Sequence, residues 1–121
     1  MATRHDLKQQ YKETTPQMGV FAVRNRVNGK ILLGASLNLP GALNRARFQL
    51  QMGSHQNATL QHDWNACGGD NFSFEVLDEL KPSDDTDHDY RDDLDTLQSL
   101  WLDKLHPYGD AGYNAPPKSM R

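Results

Sequence analysis

Three short apolar runs along the chain predict three β-strands. Residues 18–25 and 31–35 are rich in Val, Leu and Phe, and Asn28-Gly29 lies between them. Asn-Gly between two such runs favours a tight turn that joins antiparallel strands, since both residues accept positive φ. A third run, residues 72–80, alternates apolar and polar positions in its first half. We therefore expect a β-hairpin followed, later in the chain, by a third strand.

Apolar side chains spaced three to four residues apart predict four helices. They are a short helix within residues 4–13, one that begins at Pro40, one capped by Asn57 and ended by Gly68, and one that includes residues 94–105. Proline suits the first helical turn, asparagine caps free N–H groups, and glycine ends a helix. The faces that we expect to be buried consist of Leu39, Leu43, Phe48 and Leu50, then Leu60, Trp64 and Cys67, and finally Leu94, Leu97, Leu100, Trp101, Leu102 and Leu105.

The order of these elements predicts an α+β fold. Along the chain the predicted elements are a helix, two strands, two helices, a strand and a helix. This order favours a small three-stranded antiparallel sheet flanked by helices. A chain of 121 residues has room for one hydrophobic core. We expect residues 1–16 to be an N-terminal helical extension, residues 17–114 to form the domain, and residues 115–121 to be a tail.

Charge is divided unevenly along the chain, although the net charge is only −3. Residues 1–61 carry eight basic and two acidic side chains, whereas residues 62–121 carry five basic and fourteen acidic ones. The basic half could face phosphates, which the acidic half would repel. Seven aspartates lie within residues 84–95, where a solvated loop and the start of a helix accommodate negative charge. The charge pattern alone leaves both interpretations open.

Hydropathy and cysteine content indicate a soluble, cytoplasmic protein with no membrane partner. The longest apolar stretches, residues 20–23 and 31–33, are far shorter than the roughly 18 residues that a membrane span needs. The first fifteen residues lack the apolar core of a secretory signal. Cys67 is the single cysteine, so it has no partner for an internal disulfide.

Standard catalytic motifs are missing from the sequence. It contains no P-loop, no His-Glu-x-x-His and no second cysteine to complete a zinc site. His55 and His62 are seven residues apart, a looser spacing than known zinc ligands show. The aspartates within residues 84–89 lack the central glycine and closing glutamate of a calcium loop. Residue types and spacing alone therefore predict an α+β domain and no particular reaction.

Four sequence blocks, in order, resemble the GIY-YIG nuclease family. In that family two strands that carry Gly-Ile-Tyr and Tyr-Ile-Gly are joined by a turn of the Asn-Gly-Lys type. Gly19 to Ser36 matches this hairpin, and Phe72 to Leu77 matches the third strand. The second helix is matched by His55 with Leu60, Gln61, Trp64, Asn65 and Gly68. The last helix and terminal signature are matched by Leu100 to Leu105 with Gly112, Tyr113 and Asn114. The resemblance covers about residues 17–114 and implies the family fold.

The resemblance also implies hydrolysis of a phosphodiester with one divalent metal ion. In the family a first-motif tyrosine helps to activate water, a second tyrosine and a helix arginine hold the phosphate, and a glutamate of the last helix binds the metal. These four catalytic positions fall on Phe21, Leu32, Ala42 and Gln98, so each lacks the expected side chain. Two further family positions, His55 and Asn114, are retained.

These substitutions predict a pseudo-nuclease that keeps a nucleic-acid-binding face for DNA or RNA and needs no cofactor. The basic residues expected to bind nucleic acid are Arg24, Arg26, Lys30, Arg45 and Arg47. One alternative is a protein-interaction module on the former catalytic face, which would have a protein partner. A second is a DNA endonuclease that uses Arg45 in place of the lost arginine and Asp95 or Gln98 to bind Mg²⁺ or Mn²⁺.

Overall fold

A three-stranded antiparallel sheet lies at the centre of the computed structural model, which describes residues 17–82 and 88–116. Strand β1 spans Met18–Asn25, β2 spans Ile31–Ser36 and β3 spans Phe72–Leu80. The strand order is β2-β1-β3, so β1 is central and pairs antiparallel with both neighbours. The predicted three-stranded α+β sheet is confirmed.

The β1–β2 hairpin turns where Asn28-Gly29 predicts it. The Gly29 N–H donates to the Asn25 carbonyl oxygen at 2.8 Å, and Gly29 has a φ of 79°. This φ lies in the left-handed region that glycine enters without a steric cost. The pairing places Phe21 opposite Gly34, so the register of the hairpin brings the two halves of the GIY-YIG-like motif together.

Three helices accompany the sheet, each starting or ending close to its predicted position. Helix α1 spans Leu39–Met52, α2 spans Ala58–Cys67 and α3 spans Arg91–Leu105. The Asn57 side chain accepts a hydrogen bond from the Leu60 N–H at 3.0 Å, which confirms the predicted cap of α2. The helix predicted within residues 4–13, and residues 83–87 of the acidic connection, lie outside the described residues.

Helices α1 and α2 cover one face of the sheet. Their shared core cluster consists of Val23, Ala46, Leu50, Leu60, Phe72 and Tyr113. Val20 and Ala22 are also fully buried, yet they alternate with Val23 along β1 and so face the other side. Asp78, which pairs with Val20, accepts a hydrogen bond from the Trp101 indole of α3 at 3.0 Å. Helix α3 therefore covers the second face, and β1 is buried between the two layers.

Two residues that the helical spacing predicts to be buried are exposed. Phe48 of α1 and Leu100 of α3 are each 61% exposed, so the prediction is wrong at both positions. In α1, Ala46 and Leu50 contact the core, and Phe48 lies between them in sequence on the opposite side of the helix. None of the helices in the described ranges is long and apolar enough to cross a membrane.

Residues 108–114, called here the C-terminal segment, lie beside β2 and are bound to it by hydrogen bonds. A short 3₁₀ helix spans Gly109–Ala111, after which Gly112 forms a parallel bridge with Ile31. The Tyr113 N–H donates to the Ile31 carbonyl oxygen at 2.8 Å. This contact, between residues far apart in sequence, brings the terminal block next to the hairpin.

Candidate functional site

A groove of about 340 Å³ opens between the β1–β2 hairpin, α1 and the turn before α2. It brings together five of the positions singled out in the sequence: Phe21, Leu32, Ala42, Arg45 and His55. The groove is also lined by Ala35, Ser36, Ala46, Gln49 and Gln56, which sequence reasoning did not select. The three positions at which the resemblance implies two tyrosines and an arginine thus share one concavity.

Two glycines of the hairpin lie where a side chain has no room. A Cβ built on Gly34 would lie 2.5 Å from Cζ of Phe21, so the aromatic ring occupies the space that a side chain would take. At Gly19 a Cβ would lie 2.0 Å from the Asp78 carbonyl oxygen, because β1 and β3 approach closely there. Steric crowding therefore explains the presence of glycine at both positions.

Phe21 and Leu32 contribute only apolar surface to the groove. Phe21 is half-buried, and Leu32 packs against the core cluster. Neither side chain carries a hydroxyl that could bind a phosphate oxygen or move a proton. Ala42, half-buried on α1, adds a methyl group and no charge.

Arg45 is the cationic side chain of the groove. It lies one turn after Ala42 on α1, on the same side of the helix. None of the groove-lining residues is acidic, and Arg45 forms no ion pair with any described residue. Among the described residues, an anion entering this groove would therefore meet one positive charge and no competing carboxylate.

His55 supplies a neutral hydrogen-bond donor to the groove. Its Nδ1 accepts a hydrogen bond from the Asn57 N–H at 3.0 Å, so the neutral ring carries its proton on Nε2. Burial lowers the pKa of His55 from its ordinary value of 6.5, which favours this neutral form at pH 7.

Gln61 holds the turn that carries His55, a role that the sequence did not reveal although Gln61 stands in the second-helix block of the resemblance. The Gln61 side chain is buried; its Oε1 accepts from the His55 N–H at 3.1 Å, and its Nε2 donates to the Leu50 carbonyl oxygen at 3.0 Å. The glutamine thereby joins the end of α1 to the start of α2. The sequence signal that could have identified this role is the presence of a polar residue between Leu60 and Trp64, on an otherwise apolar helix face.

The remaining catalytic candidates lie outside the groove lining. Gln98 is half-buried on α3, and Asp95, one turn earlier, is exposed. Asn114 forms two main-chain hydrogen bonds with Leu33, donating from Nδ2 and accepting at Oδ1, both at 2.8 Å. Asn114 therefore fastens the C-terminal segment to β2.

The donor set does not fit the divalent ion that the resemblance implies. Within residues 17–82 and 88–116, no group of three or more His, Cys, Asp or Glu side chains is placed to hold a metal ion. The family glutamate is replaced by the neutral amide of Gln98, and hard divalent cations prefer carboxylates. We derive no chemical step through a metal ion in this chain.

The other basic candidates are engaged elsewhere on the surface. Arg24 forms an ion pair with Glu75 at 2.7 Å. Arg26 donates a hydrogen bond to the Asp70 carbonyl oxygen, and the Nζ of Lys30 lies 5.8 Å from the centre of the Tyr113 ring. The five predicted basic residues therefore do not share one site.

Arg47 lies on the side of α1 that faces β3. Its guanidinium carbon is 4.6 Å from the centre of the Phe74 ring, a cation–π contact. Phe74 in turn meets Trp64 edge-on, with ring centres 6.2 Å apart. Arg47 is exposed, so this contact fixes a guanidinium at the surface.

Tyr113, which belongs to the terminal block of the resemblance, forms a buried polar link that no sequence pattern predicts. Its hydroxyl donates to Asp63 Oδ2 at 2.7 Å and accepts from Asn25 Nδ2 at 3.1 Å. Burial raises the pKa of Tyr113 to about 12. The link joins the C-terminal segment, β1 and α2, and it lies outside the groove lining.

Comparison with known proteins gives its result at the level of the fold. No protein-family model matches the sequence, and no curated protein sequence matches it significantly. Among solved structures, the catalytic domain of the homing endonuclease I-TevI is similar with a TM-score of 0.67 and 23% sequence identity, over 83% of this chain and 99% of that domain. A glutamate-to-alanine mutant of the same domain is similar with a TM-score of 0.65 and 22% identity, over 81% of this chain and 92% of the other. The chain therefore has the fold of a GIY-YIG nuclease domain, as the resemblance in its sequence predicts.

Proposed function

We propose that this chain is a pseudo-nuclease that binds nucleic acid at the groove and does not cleave it. The observation that carries the proposal is the lining of the groove. Phe21, Leu32 and Ala42 stand together where the family has two tyrosines and an arginine, while Arg45 remains as an unpaired cation among the described residues. The fold it shares with an endonuclease catalytic domain supports a nucleic-acid partner.

Loss of cleavage follows from the chemistry of the replaced groups. A positioned proton-transfer group contributes typically about 100- to 10,000-fold to a hydrolytic rate. Phe21 keeps the aromatic ring but has no hydroxyl, and Gln98 offers no negative charge to a divalent ion. Because these groups act as a unit, losing several together removes the mechanism even though their separate effects are not additive.

Retention of binding follows from the groups that remain. Arg45 supplies a positive charge, and His55 supplies an N–H donor in a groove with no acidic lining residue. The side chains of Ser36 and Gln49 add neutral polar groups. Phosphate oxygens accept hydrogen bonds from such donors, and a cation near them adds electrostatic attraction.

The binding test uses fluorescence anisotropy of the whole chain with labelled DNA and RNA at low salt. We expect binding that weakens with added salt, and weaker binding by Arg45→Gln. Lys81→Gln removes the same charge from an exposed position outside the groove and should bind as the wild type does. Absence of binding to either nucleic acid at low salt would refute the proposal.

The cleavage test incubates the chain with Mg²⁺ or Mn²⁺ and plasmid, single-stranded and branched DNA. We expect all substrates to remain intact. Cleavage that disappears in both Arg45→Gln and Asp95→Ala would instead establish the alternative of an endonuclease with substituted catalytic residues. Asp103→Ala, an exposed aspartate later on the same helix, is the matched control for Asp95→Ala.

The apolar part of the groove favours one second candidate, a protein-docking module. Phe21, Leu32 and Ala42 turn a site expected to be polar into a partly apolar one, as a packed protein contact would require. A stoichiometric protein partner whose binding is lost in Ala42→Arg, together with no affinity for nucleic acid, would favour this candidate. A monomeric sizing profile and no such partner would exclude it.

A further inference from the structure

Helix α1 presents an aromatic ring to solvent between two arginines. Phe48 is 61% exposed, and Arg45 and Arg47 precede it on the same helix. The helix, Leu39–Met52, contains no acidic residue. Large aromatic side chains usually contribute to cores or interfaces. Here the exposed ring lies between two cations, a setting that distinguishes it from the other exposed apolar residues.

Helical geometry puts Phe48 at the point of α1 farthest from the core. At roughly 100° per residue, it lies about 160° around the axis from each of the buried Ala46 and Leu50. Arg45 lies about 60° to one side, on the edge that lines the groove. Arg47 lies about 100° to the other side, over the Phe74 ring. The three side chains thus form a band across the helix, which we call the α1 band.

Arg47 adds a second flat surface to the α1 band. Its guanidinium is held 4.6 Å from the Phe74 ring, and Phe74 is supported by Trp64. Arg47 is exposed, so the part of its guanidinium that does not contact the Phe74 ring is accessible to a planar group. Arginine planes and aromatic rings are the surfaces on which proteins stack unpaired nucleobases.

We propose that the α1 band binds single-stranded nucleic acid, with unpaired bases stacked on Phe48 and Arg47 and a phosphate at Arg45. This inference rests on the proposed function and adds its substrate class. In a duplex each base is covered by its neighbours, so an exposed ring on a helix surface finds no free base face. In a single strand the base faces are accessible, and stacking on an aromatic ring is tolerant of sequence. The absence of acids from α1 complements the charge of the strand.

The test compares three labelled probes by fluorescence anisotropy with the full chain at low salt. They are a mixed-sequence single-stranded DNA of about 12 nucleotides, the corresponding duplex, and an abasic strand with the same number of phosphates. We expect the single strand to bind most tightly. Phe48→Ala should weaken its binding by about 5- to 150-fold and leave the weak abasic binding unchanged.

Two further variants separate stacking from a general effect of a surface substitution. Phe48→Tyr keeps the ring and should retain wild-type affinity for the single strand. Val27→Ala removes an apolar side chain that is 63% exposed at the hairpin turn, and it should also leave the affinity unchanged. Both substitutions are on the surface, so neither is expected to unfold the chain.

The possible failures of the two proposals differ in their pattern. If Phe48→Ala binds the single strand as the wild type does, or if the duplex binds as tightly as the single strand, the α1 band inference is overturned. In that case, continued weakening by Arg45→Gln would leave the proposed function standing. If the wild type binds none of these probes and no labelled RNA at low salt, both proposals fail.

Discussion

At the scale of single residues, the position of the Phe21 ring depends on the missing side chain at position 34. Gly34 faces the Phe21 ring, and an added Cβ would lie 2.5 Å from Cζ and 2.9 Å from Cε1. We expect Gly34→Ala to lower the free energy of unfolding by about 1–3 kcal/mol, because the ring must move from its packed position. Urea denaturation measures this change. The direction is informative, since alanine is ordinarily favoured over glycine within a strand.

The same substitution in the Phe21→Ala background serves as the control. With the ring removed, Gly34→Ala should be neutral or stabilising, so the double-mutant cycle should yield a clear coupling free energy. Equal losses of stability in the two backgrounds would show that the Phe21 ring does not require glycine at position 34.

Tyr113 gives a second residue-scale prediction, in which stability depends on pH. Burial raises the pKa of its phenol from 10.0 to about 12, so the folded state favours the neutral hydroxyl. This contribution is fully present below pH 10 and is lost as pH rises toward 12. We expect the free energy of unfolding to fall more steeply over this interval in the wild type than in Tyr113→Phe. Tyr108→Phe, outside the network, should follow the wild type; parallel curves for wild type and Tyr113→Phe would contradict the prediction.

At the scale of elements, the Asn114 side chain forms the hydrogen bonds with the edge of β2 that a neighbouring strand would form. Its amide forms both a donor and an acceptor bond with the main chain of Leu33 on the outer edge of β2, each at 2.8 Å. We expect Asn114→Ala to cost about 1–3 kcal/mol of stability and to speed hydrogen exchange at the Leu33 N–H. Asn44→Ala, at an exposed position of α1, should change stability by no more than about 0.5 kcal/mol. Unchanged stability in Asn114→Ala would refute this structural role.

Elements that depend on neighbouring residues are the ones that the sequence predicts well. The strands, the hairpin turn and the α2 cap follow from local residues, and local patterns predicted them closely. Phe48 was misplaced because apolar spacing does not state which side of a helix meets the sheet. The contact of the C-terminal segment with β2 joins residues far apart in sequence, so no local pattern contains it.

The family resemblance predicted more residues of the candidate site than residue spacing did. It selected Phe21, Leu32, Ala42 and His55, and all four line the groove. It also selected Asn114, which lies outside the groove lining and forms two hydrogen bonds with the main chain of Leu33. Gln61 and the Tyr113 link depend on partners from other elements, and only the fold brings those partners together.

At the scale of the whole molecule, the basic side chains within residues 17–61, the described part of the basic half, do not form one basic surface. Arg24 forms an ion pair with Glu75, Arg26 donates to a main-chain carbonyl oxygen, and Lys30 lies over the Tyr113 ring. An ion-paired cation has part of its field cancelled, and its release would cost the interaction it already makes. For the described residues, the balance of charge along the sequence therefore overstates the number of cations that can meet a phosphate backbone.

The salt dependence of binding counts those cations directly. The logarithm of the binding constant for a single strand falls with the logarithm of salt concentration by about 0.7 for each phosphate neutralised. If Arg45 alone neutralises a phosphate while Arg47 stacks on a base, the slope should be about −0.7. If Arg47 also neutralises a phosphate, the slope should be about −1.4; five acting cations would give about −3.5. Arg45→Gln should reduce the magnitude by about 0.7, and Arg24→Gln should leave it unchanged because Arg24 is paired with Glu75. A wild-type slope near −3.5, or a smaller slope in Arg24→Gln, would mean that the ion pair opens when nucleic acid binds and that the binding face extends around the hairpin.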